Sequence, residues 1–188
     1  MFAPEHFLSK RGFPNGRDPR IAGNPKRSVT VLKNFSGESA SVENKTFALV
    51  VSQYYDNITG NMKDGAVETL LRNRVPEESI SIFWVPGSWE LPHAALRLVK
   101  SKKFDAIVCL GCVIKGETTH DHHINSVISS SIGQISLEHD VPIGFGVLTC
   151  NTLQQALERS GGSVGNKGVE STEAVVQMLQ LFEEIGKI

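Results

Sequence analysis

A chain of 188 residues, 40% hydrophobic and 21% charged, is long enough for one compact domain with a core and marginal for two. Its formal charge of −1 excludes a general attraction to nucleic acid or to a membrane surface. No apolar run approaches the ~20 residues needed to span a bilayer, and three cysteines cannot form a disulfide scaffold. The expectation is a globular protein of a reducing compartment, the cytoplasm.

The balanced charge hides an asymmetry. Residues 1–33 carry seven basic side chains (Lys10, Arg11, Arg17, Arg20, Lys26, Arg27, Lys33) against Glu5 and Asp18, a local +5, which leaves −6 for the rest. Pro4, Pro14, Pro19 and Pro25, interleaved with Gly12, Gly16 and Gly23, do not propagate helix or sheet, so residues 1–32 read as a flexible basic arm. An organelle transit peptide is the rival reading, but such segments are serine-rich and avoid acids, and only Ser9 and Ser28 occur here. The stretch 28–35, with Val29 and Val31 alternating, predicts an edge strand.

From Thr46 the pattern becomes strand, turn, helix, repeated. TFALVVS (46–52) is a continuous apolar run, as in a parallel strand covered on both faces. Ile58, Met62, Ala66, Thr69 and Leu70 follow at helical spacing. SISIFWV (79–85) predicts the second strand, and Leu91, Ala94, Ala95 and Leu98 the stripe of the second helix. AIVCLGCVI (106–114) is the third strand, followed by a helix from about His120 to Glu138, and PIGFGVLTC (142–150) is the fourth. Asn151 or Thr152 can cap a short helix to Arg159, and Val169, Ala174, Val175, Met178, Leu179 and Phe182 stripe a final one. The prediction is an α/β three-layer sandwich, a four-stranded parallel sheet with helices on both faces, spanning residues 33–188. Ligands of such sheets bind beyond the carboxyl ends of the strands, here SQYYDN (52–57), VPGSWE (85–90), IKGETTHDHH (114–123) and GVLTCN (146–151).

Five features compete for that chemistry. Gly111 to Thr118 has the glycine spacing of a phosphate loop, but Glu117 stands where the phosphate-binding lysine belongs, which argues against a nucleoside triphosphate. A smaller phosphate near the amides of Glu117 and Thr118 stays open, because a helix starts there and its free N–H groups favour anions. Cys109 and Cys112, three apart on a strand, point to opposite faces and read as core. His120, Asp121, His122 and His123 resemble metal ligands, yet adjacent helical residues diverge by about 100° and no second cluster completes four ligands. A proton shuttle suits one of these histidines better, because the type titrates near pH 6.5. Trp89, in a Pro-Gly-Ser-Trp-Glu turn, suits stacking on a planar ring, whereas Phe145 fits core and binding about equally. Glycines 161, 162, 165 and 168 around Asn166 and Lys167 read as a flexible connector, with Arg159 before it able to hold phosphate bidentately.

Taken in order and spacing, PGSWELP (86–92), GCVIKGETTH (111–120), FGVLT (145–149) and LERSGGSVGNKG (157–168) closely resemble the lumazine synthases, over about residues 33–188. The resemblance implies condensation of 5-amino-6-(ribitylamino)uracil with 3,4-dihydroxy-2-butanone 4-phosphate, releasing phosphate and water, with no metal or organic cofactor. By that resemblance Tyr54 stacks on the pyrimidine. Ser88, Trp89 and Glu90 hold the pyrimidine and the ribityl chain. Cys112, Val113 and Ile114 offer backbone to the uracil edge. Phe145 reaches in from an adjoining subunit. Glu117 and Thr118 line the phosphate side, Arg159 binds the phosphate, Lys167 lies near it and His120 transfers protons. The resemblance also implies a flavodoxin-like fold, homo-oligomers built from pentamers, sixty-subunit shells among them, and a functional link with riboflavin synthase. Tyr55 and Asp56 depart from it where asparagine is frequent, as do His122 and His123 where acidic or aromatic residues are common, and Lys115 where arginine is. A flavin- or nucleotide-binding module without catalysis is the rival; it explains the fold and Trp89 but not an arginine and a histidine near a phosphate loop. A shell protein whose role is assembly is compatible with the enzyme.

Overall fold

The computed structural model describes residues 32–37 and 40–188. The basic arm and most of the strand expected over 28–35 lie outside the described residues, and Leu32 to Phe35 form no strand. The α/β body, from Phe35 onward, is built from β1 (Phe47–Ser52), α1 (Asp56–Arg72), β2 (Ile80–Val85), α2 (Leu91–Ser101), β3 (Ala106–Ile114), α3 (His120–His139), β4 (Ile143–Cys150), α4 (Leu153–Glu158), β5 (Ser160–Gly162), β6 (Gly165–Asn166) and α5 (Lys167–Ile185). Four strands form one parallel sheet in the order β2-β1-β3-β4. Among the described residues no helix is long and apolar enough to cross a membrane.

The period-2 geometry of a strand explains the three layers. Phe47, Leu49 and Val51 point into a core shared with α1 and α5, whereas Ala48 and Val50 point into a second core under α2 and α3. The central strands β1 and β3 are buried almost throughout, which is why they read as unbroken apolar runs. The outer strand β2 alternates instead and leaves Ile82 and Trp84 exposed.

Glycine decides how closely α5 approaches β4. A Cβ on Gly144 would lie 2.7 Å from the Ser171 carbonyl oxygen, and one on Gly146 would lie 2.7 Å from Ser171 Oγ. This contact rotates α5 away from the expected stripe. Ser171, Thr172, Val175, Val176 and Leu179 are buried, while Ala174 and Met178 are exposed. The two hydroxyls can go inside because each is satisfied within the helix: Ser171 Oγ donates to the Lys167 carbonyl at 2.8 Å and Thr172 Oγ1 to that of Gly168 at 2.7 Å. Thr59 and Thr69 on α1 are buried too: Thr59 Oγ1 donates to Ser52 O at the end of β1 at 2.7 Å, and Thr69 Oγ1 to Gly65 O within the helix at 2.8 Å.

The segment read as a flexible connector is a two-stranded antiparallel ribbon, β5 with β6. Gly161 and Gly165 take φ of 119° and 108°, which only glycine adopts without strain. Asn166 fastens the ribbon. Its amide nitrogen donates to the Asn61 carbonyl on α1 at 3.0 Å, and its side-chain oxygen caps α5 by accepting from Gly168 N at 2.9 Å.

Candidate active site

Two backbone hydrogen bonds and one from a side chain tie the carboxyl ends of the strands into one rim. Gln53 N donates to Val85 O at 2.8 Å, Lys115 N donates to Cys150 O at 2.8 Å, and Ser88 Oγ donates to Cys112 O at 3.3 Å. The last bond seats a 3-10 turn, Ser88–Glu90, directly over β3. Gly111 makes room for it, since a Cβ there would lie 2.7 Å from Ser88 Oγ and 2.8 Å from Leu91 Cδ1. Trp89 stands outward from the turn, half exposed, with Glu90 beside it.

Tyr54 follows β1 with 63% of its surface exposed, an aromatic face offered at the rim rather than a core ring. Tyr55 packs edge-on against it, the ring centroids 4.8 Å apart at 80°. The loop after β3 carries Glu117 and Thr118, both exposed, and α3 begins later than 117, at His120. His120 N lies 3.4 Å from Thr118 Oγ1, and its ring is exposed on the first turn of α3.

Burial keeps the thiols at this rim neutral. It pushes Cys112 up from an ordinary 9.0 to about 12, with neighbouring Cys150 adding to the rise. Cys109 is pushed to about 12 by burial alone. Cys150 is also raised by burial, against the opposing pull of the Arg159 guanidinium. A protonated thiol is a poor nucleophile, and Cys112 is packed in the core, 2% exposed. Cys109 and Cys112 lie in the two separate cores, as their spacing on a strand requires. Among the described residues no group of three or more His, Cys, Asp or Glu is placed to hold a metal ion.

The remaining expected site residues divide. Arg159 lies at the end of α4 beside Cys150, its Nη1 donating to Gln155 O at 3.2 Å. Phe145 and Lys167 do not lie at the strand ends of their own chain. Both line a groove of about 550 Å³ along the open edge of β4, between the end of α3 and α5, with Met178 and Phe182. Phe145 is 40% exposed there, and Lys167 is ion-paired to Glu170. Asp121, weighed in the sequence only as a metal ligand, stands instead with Asn125, which the sequence analysis did not single out. One turn apart on α3, they line a polar cavity with Thr149 and Asn151, and each has a buried side-chain oxygen without a protein partner.

A four-stranded parallel sheet in the order β2-β1-β3-β4, covered by helices on both faces, defines the flavodoxin-like α/β class, whose ligands bind beyond the carboxyl ends of the strands. The family model described as 6,7-dimethyl-8-ribityllumazine synthase matches residues 44–183, and the chain belongs to that family. The protein is therefore a transferase of riboflavin biosynthesis, joining 5-amino-6-(ribitylamino)uracil to 3,4-dihydroxy-2-butanone 4-phosphate.

Proposed function

We propose that the reaction occurs at the carboxyl ends of the four strands and that an adjoining copy of the chain completes the site. The pyrimidine lies on Tyr54 and against Trp89, Glu90 accepts from ribityl hydroxyls, and the backbone of Cys112, Val113 and Ile114 reads the uracil edge. The phosphate lies on the side of Glu117 and Thr118, held by Arg159. The 5-amino group attacks the ketone, and His120 moves protons between nitrogen and oxygen as the imine forms. Phosphate then leaves by elimination, its developing charge met by the Arg159 guanidinium. Holding two reactants together supplies much of the acceleration, up to roughly 7–11 kcal/mol in favourable cases. The observation that carries the shared site is the groove on β4: Phe145 and Lys167, both expected at the substrates, face outward there.

The direct test mixes the protein with both substrates and follows lumazine fluorescence; no product at any enzyme concentration sinks the assignment. Within that assay, Arg159→Lys is expected to raise KM for the ketone phosphate about tenfold or more and to leave that for the pyrimidine within about twofold. The charge is kept and the planar fork is lost. Equal losses for both substrates would make Arg159 structural.

Apolar side chains at both outer strands, Phe145 at β4 and Ile82 with Trp84 at β2, support assembly through two faces. In the resembling family, pentameric members tend to carry extra residues in the turn between the last two helices and shell formers a short one. The short form here, Arg159 to Gly168, therefore supports pentamers that associate further, to sixty subunits. The unpaired, buried thiols suit a reducing, cytoplasmic setting. Analytical ultracentrifugation of the full chain and of a chain starting at Val31 is expected to find large shells for one or both. Shells only after truncation make the arm a brake on assembly, and pentamers from both reject the argument from the ribbon.

A further inference from the structure

We propose that Tyr55 is a positioning residue: its strained backbone and its ring hold Tyr54 as a fixed platform at the rim. Tyr55 occupies the N-cap position of α1 at φ 61° and ψ 52°, the left-handed region that bulky residues rarely enter. It makes no side-chain cap. Asparagine would suit the backbone better, since its short polar side chain tolerates the left-handed region. Tyrosine is therefore the poorer local choice, and something beyond local structure accounts for it.

The ring contact supplies that reason. Neighbours in sequence do not face each other on a regular strand or helix. The left-handed residue between β1 and α1 breaks that rule and lets the two rings meet edge to face. Tyr55 also packs against the core beneath α1 and α5, so its ring is anchored from below while Tyr54 remains largely exposed. Burial, followed by its neighbours Tyr54 and Cys112, raises the Tyr55 phenol above its ordinary value, so it stays neutral beside a bound pyrimidine. An exposed aromatic that must be ordered on binding costs affinity, and one already held does not.

This inference rests on Tyr54 being the surface on which the pyrimidine stacks. The test is steady-state kinetics and thermal unfolding of Tyr55→Asn, Tyr55→Phe, Tyr54→Ala and the double variant Tyr54→Ala/Tyr55→Asn. Tyr55→Asn is expected to keep or raise Tm while raising KM for the pyrimidine about 3- to 10-fold, the size of one aromatic pair. Its kcat and its KM for the ketone phosphate stay within about twofold, and Tyr55→Phe behaves as wild type. In the Tyr54→Ala background the change at position 55 has no further effect on that KM. A pyrimidine KM that is unchanged in Tyr55→Asn but raised in Tyr54→Ala overturns the positioning role and leaves the platform standing. Additive effects in the double variant overturn it as well. An unchanged pyrimidine KM in Tyr54→Ala overturns the platform and the positioning role together.

Discussion

Gly168→Ala is expected to destabilise the fold by about 4 kcal/mol or more, seen as a Tm lower by about 10 °C or more, or as failure to accumulate soluble protein. A Cβ at this position would lie 1.9 Å from the Met62 carbonyl oxygen, 2.6 Å from its carbonyl carbon and 2.9 Å from its Cα. All three atoms belong to the backbone of α1, so no rotamer change relieves the overlap. The helices must separate by more than an ångström, in a core packed like a crystal. That opening reaches Met62, Val175, Val176 and Leu179, all buried in one cluster. It also loosens the Asn166 cap on Gly168 and the tie from Asn166 to Asn61. Gly60→Ala, on the same helix α1, meets nothing within 4 Å and is expected to stabilise by up to about 1 kcal/mol through helix propensity. Equilibrium urea unfolding separates the two. A wild-type midpoint for Gly168→Ala would mean that α1 and α5 do not approach through backbone here.

His120→Ala is expected to lower kcat by about 10- to 10⁴-fold with little change in stability or in either KM. The ring is exposed on the first turn of α3, so its removal leaves no cavity. Imine formation and phosphate elimination both move protons at the reacting atoms, and no other imidazole has been placed there by the proposed binding mode. Turnover persists at a reduced level because holding the two substrates together does not depend on the histidine. The check is turnover at saturating concentrations of both substrates, alongside circular dichroism of the variant. Wild-type turnover would remove His120 from the proton transfers.

The carboxyl edge of the sheet was legible early because much of it rests on local signals. A buried parallel strand must be apolar along its whole length, so β1 and β3 stand out as runs, and the polar or aromatic residues just beyond them mark the carboxyl edge. Asn151 or Thr152 was expected to cap α4, and Thr152 does, accepting from Gln155 N at 3.2 Å. The motifs from Pro86 to Gly168 carried the family, which the match over residues 44–183 establishes.

Other features were settled only by residues distant in sequence. The face that α5 buries depends on Gly144 and Gly146 of β4, and on two hydroxyls whose hydrogen bonds a hydropathy pattern counts as exposed. The ordered ribbon before it depends on Asn166 reaching Asn61, far away along the chain. Phe145 and Lys167 sit on the open edge of β4 because that strand is outermost in the order β2-β1-β3-β4, and periodicity along one strand carries no information about its neighbours. Tyr55 lies in the left-handed region against its own preference. The amino-acid sequence by itself determined the four strands of the main sheet, the helices between them and their parallel winding, because apolar period, caps and motifs act within a few residues. Which helix face is buried, where the outer edge falls and which rings meet were decided by tertiary structure, because close packing and hydrogen-bond satisfaction are properties of groups brought together from across the chain.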